Sequence, residues 1–333
     1  MKRRTALKTM ALGAVSATLA STIFAEEKPT KHPLRLGGPL FVSDADPEAW
    51  AQRAVELRYR AVYAPNVKLD DKDRIKAVIE AIKKRDLIIA EVGRWVNLMD
   101  GDPQKRAQNL QTVTDGLALA DELDARCCVD IAGSFSKENW AGPHPKNVSD
   151  EFFDLAVENA RKIIDAVKPK RAKFAYEMMG WALPDTSESY LRLIKAIDRP
   201  GFGVHLDVCN MINAPDKFWN TTRLINEAFD KLGPMIVSAH AKDLKWVPEM
   251  NIHFVECVIG EGEIDFATYL KRMAALPGDV PLMIEHMKNA EEYERCNLHL
   301  FNVGAENGVV FDDVRFGGQQ GRSFSLRRQF GSA

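Results

Sequence analysis

Four polar side chains stand at the ends of four successive short apolar runs: Glu177, Asp207, His240 and Glu285. Taken alone, an acid in such a place is most often a solvated loop residue or a helix cap, and a histidine on an apolar run is most often a core residue. Four in the same position on successive runs are better explained as ligands of one ion. One imidazole with three carboxylates predicts a single divalent metal, with manganese, magnesium or cobalt favoured over zinc, whose sites usually hold more histidine or cysteine.

These runs belong to a regular alternation between short apolar segments rich in β-branched residues and longer amphipathic segments. The predicted strands are 34–42, 61–65, 87–92, 127–132, 173–178, 202–208, 235–239 and 281–286. The predicted helices are one opened by Asp46 and Pro47, then 71–85, 103–123, 150–167, 187–197, 221–232, 266–275 and 291–305.

Eight strand–helix units over roughly 275 residues predict a single-domain α/β fold, a (β/α)₈ TIM barrel. A doubly wound sheet is the alternative, but it would show fewer strands and a glycine-rich phosphate turn after the first one. Gly37 and Gly38 lie inside the first run and lack that spacing. Because the carboxyl ends of barrel strands meet at one mouth, the four candidate ligands are expected to converge there.

The composition excludes several classes of protein. The 333 residues include 45 Lys and Arg against 47 Asp and Glu, for a net charge of −2. No basic block occurs beyond the N-terminus, so no nucleic-acid partner is predicted. The five cysteines include no CxxC pair, which argues against both a disulfide framework and a zinc ribbon.

Residues 1–25 resemble an export signal of the twin-arginine type, with the paired Arg3 and Arg4, an apolar run over 10–20 and the small Ala25 at the predicted cleavage point. The run is shorter than the roughly 20 residues that span a bilayer, so no stable membrane insertion is predicted. The expected location of the mature chain is the periplasm. Loss of the four basic residues of this segment would leave 41 basic and 47 acidic residues, a net charge of −6.

The rest of the chain is predicted to form a catalytic barrel domain over 26–309 and a tail over 310–333. No linker or internal repeat divides the barrel segment. The tail contains four arginines and four glycines with almost no apolar periodicity, and it is therefore expected to be disordered.

The chain resembles the xylose-isomerase-like TIM-barrel superfamily over about 34–305, in four ordered motifs: Gly203-Val-His-Leu-Asp207, His240-Ala-Lys-Asp243, Gly260-Glu-Gly-Glu-Ile-Asp265 and Ile284-Glu-His286. The superfamily includes sugar and sugar-phosphate isomerases and epimerases, among them the ketose 3-epimerases, and inosose dehydratases. In the ketose 3-epimerases the metal is held by Glu, Asp, His and Glu from the last four strands. The resemblance therefore implies that the four residues named above bind one metal ion.

The resemblance also implies a reaction, the abstraction of a proton next to a carbonyl through a metal-stabilised enediolate. Glu177 and Glu285 are then the catalytic acid and base, one on each face of the substrate. The implied substrate is an unphosphorylated sugar or keto-sugar.

Six further residues are predicted to bind the substrate: His205, Lys242, Glu91, Trp95, Trp181 and Asn210. His205 and Lys242 lie two residues from a predicted ligand and so share its face of the strand, although His205 is equally well explained as a histidine that fills the barrel. Glu91 and Trp95 follow the third strand, where an acid and an indole suit a sugar ring. His286 directly follows Glu285 and is expected to face the helix layer in a structural role.

Two positions depart from the ketose 3-epimerase pattern. Asn210 stands where a substrate-binding histidine is usual, and Trp246 stands where an arginine is frequent. These differences argue against a simple free-ketose 3-epimerase, and loss of the arginine argues against a phosphorylated substrate.

Four functions are compared. A metal-dependent isomerase or epimerase is preferred, and a lyase of the same superfamily is the alternative, either inosose-dehydratase-like or acting by β-elimination on a 3-keto-glycoside. An endonuclease-IV-like nuclease is excluded by the seven histidines and the acidic mature chain. A non-catalytic sugar-binding barrel is disfavoured because Glu177 and Glu285 are both present. The predicted partner is a small-molecule sugar, and formation of a homo-oligomer is left open.

Overall fold

The structure is a computed structural model that describes residues 33–312. The predicted export signal, 1–25, and residues 313–333 of the predicted tail lie outside the described residues. The described chain contains ten strands: β1 (Leu36–Gly37), β2 (Ala61–Tyr63), β3 (Ile88–Gly93), β4 (Cys127–Asp130), β5 (Lys173–Glu177), β6 (Phe202–Asp207), β7 (Ile236–Ala241), β8 (Asp243–Trp246), β9 (Phe254–Cys257) and β10 (Leu282–Ile284).

Helices lie between the strands. The described chain contains nine α-helices: α1 (Pro47–Glu56), α2 (Lys72–Lys84), α3 (Pro103–Glu122), α4 (Asp150–Val167), α5 (Ser187–Ile197), α6 (Pro215–Phe218), α7 (Thr221–Leu232), α8 (Phe266–Ala274) and α9 (Ala290–Glu306). Most of them begin at a side chain that accepts a hydrogen bond from the backbone of the first turn, as Asp46, Asp102 and Ser149 do. None of the described helices is long and apolar enough to cross a membrane.

Eight of the strands form a closed parallel barrel in the order β1-β10-β7-β6-β5-β4-β3-β2. The ring closes because β1 pairs on both sides, Leu36 with Leu282 of β10 and Gly37 with Ala61 of β2. The predicted single-domain TIM barrel is therefore confirmed, and each of its eight strands overlaps a predicted run.

The barrel strands are buried on both faces, and the two faces differ in character. On β6, Val204 and Leu206 belong to the core between barrel and helices, whereas His205 and Asp207 alternate with them and point into the barrel. The lower interior is filled by a small separate cluster of Ala61, Ala90 and Met283. Above this apolar cluster the interior holds polar side chains, among them Glu91, His205 and Ser238.

The first three residues of the predicted tail, 310–312, run beside Leu34 just before β1. The amide of Leu34 donates a hydrogen bond to the carbonyl of Val310 at 2.8 Å, and the amide of Asp312 donates to the carbonyl of Leu34 at 3.0 Å. The chain therefore returns to the first strand after α9.

The antiparallel pair β8–β9 and the short helix α6 do not appear among the predicted elements. β8 follows β7 almost directly and pairs with β9, with Trp246 opposite Phe254. Strands of four residues joined by the polar segment 247–253 carry too little apolar pattern to be recognised. This hairpin lies outside the barrel, at its mouth.

Asp243 holds the base of the hairpin. Its buried carboxylate accepts hydrogen bonds from four backbone amides at 2.9 to 3.1 Å: Leu244, Gly260, Gly262 and Ile264. A Cβ at Gly262 would lie 2.3 Å from Asp243 Oδ1, so only glycine admits the carboxylate there. Asp243 thus connects the hairpin to the loop that precedes α8.

Replacing Asp243 with Ala should lower the free energy of unfolding by about 2–4 kcal/mol, because four backbone amides, two of them in buried hydrogen bonds, lose their acceptor. Urea denaturation followed by circular dichroism measures this change. Asp73→Ala, which removes an exposed carboxylate from the first turn of α2, is the control and should change the free energy by less than about 1 kcal/mol. Equal effects of the two substitutions would contradict the assigned role of Asp243.

Candidate metal centre at the barrel mouth

All four predicted ligands meet at the carboxyl ends of the barrel strands. Glu177 ends β5, Asp207 ends β6, His240 is the last but one residue of β7, and Glu285 directly follows β10. One ligand atom from each lies within 4.8 Å of the others. The barrel thus converts four positions spread over more than a hundred residues into one cluster.

The Nδ1 atom of His240 faces the three carboxylates. It lies 3.0 Å from Glu177 Oε1, 3.0 Å from Glu285 Oε2 and 3.5 Å from Asp207 Oδ2. The other ring nitrogen, Nε2, points down into the barrel, 3.3 Å from Glu91 Oε2. Nδ1 is therefore the nitrogen available to an ion in this cluster.

Glu91 lies below His240 and is almost completely buried. Its Oε1 accepts a hydrogen bond from Ser238 Oγ at 2.7 Å and lies 3.0 Å from His205 Nε2. A carboxylate behind the far nitrogen of a ligand histidine sets the orientation of the ring. The predicted contact of Glu91 with substrate stays a prediction; in the structure its carboxylate contacts His240.

His205 is completely buried, with its ring centroid 4.2 Å from that of His240. It contacts Glu91 from below, and its Nδ1 has no hydrogen-bond partner among the described residues. His205 therefore lies beneath the four candidate ligands, and its predicted contact with substrate stays a prediction.

Lys242 lies among the candidate ligands. Its Nζ is 2.7 Å from Asp207 Oδ2, 2.9 Å from Glu285 Oε2 and 3.6 Å from Glu177 Oε1. Because Lys242 is buried, its ammonium balances charge that water cannot screen.

Asn210 contacts two of the candidate ligands. Its Nδ2 donates to Glu177 Oε1 at 3.1 Å, and its backbone amide donates to Asp207 Oδ1 at 2.9 Å. These two bonds hold the carboxylates of neighbouring strands in fixed orientations.

The charges shift one another's pKa in opposite directions. Burial raises the pKa of Glu177, and the nearby Lys242 and His240 only partly oppose it. Burial would raise the pKa of Glu285 as well, but the charge of His240, the hydrogen bond to His240 and the ammonium of Lys242 together outweigh burial and hold that pKa at about 2. The pKa of His240 rises well above its usual range because the surrounding carboxylates outweigh its burial.

The cluster fits a divalent cation. Asp207 Oδ2 and Glu285 Oε2 are buried and accept no hydrogen bond from the described residues, although the ammonium of Lys242 is their ion-pair neighbour. Buried carboxylate oxygens without a donor are uncommon and call for a positive partner. Three carboxylates and one imidazole are the donor set of hard or borderline divalent ions.

Two cavities flank the centre. The first, about 780 Å³, is lined by Glu285, Glu91 and Trp95 together with Tyr63 and His286. The second, about 540 Å³, is lined by Trp181 and Asn210 on its side towards β5 and β6. The predicted substrate contacts therefore divide, with Glu91 and Trp95 on one side and Trp181 and Asn210 on the other.

The expectation that His286 faces the helix layer is wrong. Its backbone adopts a left-handed conformation, φ 62°, which turns the side chain towards the mouth. There Nδ1 lies 2.9 Å from Glu256 Oε2 of β9, and Nε2 lies 3.4 Å from Glu285 Oε2. Such a conformation in a residue other than glycine is often found at functional sites.

Tyr63 and Ser238 belong to the site but were not predicted from the sequence. Tyr63 ends β2, lines the first cavity and presents its ring to that of His240 at a centroid distance of 6.5 Å. Ser238 lies two residues before His240 on the same face of β7. Tyr63 could have been found because it stands at the carboxyl end of a barrel strand, where active-site residues lie. Ser238 could have been found because residues two apart on a strand share one face.

A family model described as xylose isomerase-like TIM barrel matches residues 49–298. No curated protein matches the chain. Among solved structures, a xylose isomerase-like TIM barrel protein from Mycobacterium smegmatis in complex with magnesium is 15% identical, with a TM-score of 0.57, and the match covers 84% of this chain and 97% of that one.

Two similar structures carry the names of enzymes. The 3-keto-D-glucoside 4-epimerase of E. coli is 14% identical, with a TM-score of 0.58 and coverage of 81% of this chain and 99% of that one. A probable 3-DHS dehydratase involved in petrobactin synthesis in Bacillus anthracis is 14% identical, with a TM-score of 0.60 and coverage of 81% and 98%. At these identities the likeness is one of fold.

Glu91→Gln should raise the dissociation constant for Mn²⁺ or Mg²⁺ by about 10–100-fold, because the neutral amide no longer polarises or orients His240. Isothermal titration calorimetry of the metal-free protein measures it. Ser238→Ala removes one neutral hydrogen bond from Glu91 but keeps the carboxylate, so it should have a smaller effect. If Glu91→Gln binds metal as tightly as the unmodified chain, Glu91 does not position the histidine.

Proposed function

The chain belongs to the xylose isomerase-like TIM-barrel family, and from this premise we propose that it is a divalent-metal-dependent isomerase or epimerase of an unphosphorylated sugar or keto-sugar. The observation that carries the proposal is the placement of two carboxylates around one point. Glu177 and Glu285 each lie 3.0 Å from His240 Nδ1, yet they come from strands separated by β6 and β7 in the barrel.

This arrangement suits proton transfer at a carbon next to a carbonyl. One carboxylate takes the proton from one face, and the other returns a proton from the opposite face, which inverts the configuration at that carbon. A divalent cation held by Glu177, Asp207, His240 and Glu285 would supply stabilisation of the negative charge that develops on the substrate oxygen. Manganese, magnesium or cobalt fits the donor set, and magnesium is present in one structural neighbour.

The neighbouring side chains restrict the orientations of the two carboxylates. Asn210 donates to Glu177 Oε1 and so limits the directions in which this carboxylate can point. Lys242 provides a buried ammonium with three donors, 2.9 Å from Glu285, which is well placed to bind a substrate hydroxyl or carbonyl oxygen. Glu91 keeps the ring of His240 upright between them.

An uncharged substrate fits the electrostatics of the mouth. Three buried acids, Glu91, Glu177 and Asp207, and the partly exposed Glu285 lie there, so a phosphate would be repelled unless further cations faced it. Trp95 and Trp181 offer indole faces on the two sides, and an indole stacks well on the apolar face of a sugar ring.

A lyase is the second candidate, and the position of His286 favours it. Elimination begins with the same proton abstraction but also needs an acid for the departing group. His286 Nε2 lies 3.4 Å from Glu285 Oε2 at the open edge of the first cavity, where such a group would leave. One structural neighbour is named as a probable dehydratase.

We also propose that the mature protein acts in the periplasm. The support is the basic and apolar pattern of residues 1–25, which lie outside the described residues. Cell fractionation with an Arg3→Lys, Arg4→Lys chain tests it, since a twin-arginine substrate should stay in the cytoplasm when both arginines are replaced.

Metal-loaded protein in D₂O should place deuterium at the carbon next to the carbonyl of a free ketose or a 3-keto-glycoside. Glu177→Gln and Glu285→Gln should each slow this exchange by about 10²–10⁴-fold, because each removes one proton-transfer group. Nuclear magnetic resonance and mass spectrometry follow the exchange. Glu158→Gln, which changes an exposed carboxylate on α4, is the control and should leave the rate unchanged.

The products separate the two candidates. Exchange without release of a fragment supports an isomerase or epimerase, whereas release of water or an aglycone that slows in His286→Asn supports the lyase. Exchange that does not depend on Glu177 and Glu285 would contradict both.

A further inference from the structure

The mouth carries an aromatic surface that the proton-transfer site does not use. Here it is called the aromatic platform, and its members are Pro215, Trp219, Trp246, Ile252 and Phe254. They line a shallow cavity of about 200 Å³ without a charged group. We propose that the platform binds the second ring of a glycoside, a linked sugar or aryl ring, while the keto-sugar ring lies at the metal centre. The inference rests on the proposed function and names its substrate class.

The platform is built as a fixed surface. Trp246 ends β8 and pairs with Phe254 at the start of β9. The ring of Phe254 stacks on the buried Phe218 of α6, with centroids 4.5 Å apart and planes 13° apart. Trp219 packs its ring edgewise against the same Phe218 at 4.8 Å. Two separate insertions, the hairpin and α6, are therefore held together by ring contacts, and the outward faces keep their positions.

Three apolar side chains of the platform are exposed to solvent. Trp219 is 61% exposed, Trp246 47% and Ile252 64%, and all three lie on one side of the mouth. Contiguous exposed apolar surface of this kind usually marks a binding site, because covering it releases the free energy of burial.

A continuous wall joins the platform to the metal centre. The cavity of about 540 Å³ shares Ile252 and Phe254 with the platform, and its other end is formed by Asn210. Asn210 donates directly to Glu177 Oε1. A molecule that reaches from the acids to the platform therefore stays within one lined groove.

The chemistry of the groove favours a glycoside over a single ring or an anion. The cavity of about 540 Å³ offers the polar groups of Asn213, His253 and Glu256, which suit hydroxyls, and the platform offers aromatic faces and aliphatic side chains without a charge. The apolar face of a pyranose or an aryl ring stacks on indole. The two departures from the ketose 3-epimerase motifs, Asn210 and Trp246, both lie along this groove, so this chain differs where a second ring would bind.

The test compares ligands that share one keto-sugar and differ in the second ring. Calorimetry of the magnesium-loaded protein with methyl 3-keto-glucoside, phenyl 3-keto-glucoside and a 3-keto-disaccharide measures the three dissociation constants. We expect the two larger ligands to bind roughly tenfold more tightly than the methyl glycoside. The double variant Trp219→Ala, Trp246→Ala should remove this preference and leave the affinity for the methyl glycoside unchanged.

Trp140→Ala is the matched control, because Trp140 is exposed but lines neither section of the groove, and it should keep the preference. Circular dichroism of each variant checks the fold. Equal affinities for all ligands in the unmodified chain, or a preference retained by the double variant, overturn the proposal. Analytical ultracentrifugation tests whether a second copy of this chain covers the platform instead. If the unmodified protein is a dimer without a ligand preference, and the double variant is a monomer, the platform is a dimer interface.

Failure of this inference differs from failure of the proposed function. If the protein exchanges deuterium into the methyl glycoside yet shows no preference for larger ligands, only the platform assignment is wrong. If no ligand undergoes exchange but the larger ligands still bind more tightly through the two tryptophans, the platform assignment stands and the reaction is wrong.

Discussion

The balance of buried charge at the barrel mouth is the constraint on which the rest of the structure depends. Glu91, Glu177, Asp207 and Glu285 bring four carboxylates into a space from which water is largely excluded. Burying a carboxylate without a partner costs several kcal/mol, so such a group is stable only with cations beside it. His240 and Lys242 supply part of the compensating positive charge. Two carboxylate oxygens, Asp207 Oδ2 and Glu285 Oε2, have no hydrogen-bond donor among the described residues, which fits a divalent ion as a further partner.

One strand organises this balance. On β7 every second residue points into the barrel, and Lys242, which directly follows the strand, continues this alternation after Ser238 and His240. Ser238 donates to Glu91 at the bottom, His240 joins Glu91 to the carboxylates, and Lys242 pairs with the carboxylates of the neighbouring strands. The register of β6 places Asp207 beside His240, and the register of β10 places Glu285 one residue beyond the pair of Ile284 with Ala241.

The two sides of the mouth differ because different insertions build them. The side towards β2 and β3 has Tyr63 and Trp95 around the cavity of about 780 Å³, and the side towards β6 has the hairpin and α6 with their exposed rings. In barrels of this kind the strand ends position the reacting groups, and the loops determine the substrate specificity. The low-identity neighbours share this fold.

The sequence by itself determined the eight barrel strands, eight of the helices and the strand ends at which the candidate ligands lie. The helix starts at Asp46, Asp102 and Ser149 follow from local capping, which involves only a few neighbouring residues. The ends of the apolar runs likewise depend on nearby residues, and they indicate the four candidate ligands, Glu177, Asp207, His240 and Glu285. Only the closed barrel decided that Glu91 lies behind His240, 149 positions along the chain, since local periodicity contains no information on which strands become neighbours across a closed ring. The direction of His286 depends on a left-handed backbone and on Glu256 of a hairpin that carries no clear pattern. Local sequence preferences therefore specify the helices and strands. Closure of the barrel decides which polar side chains lie together in one buried space, where their charges must compensate one another.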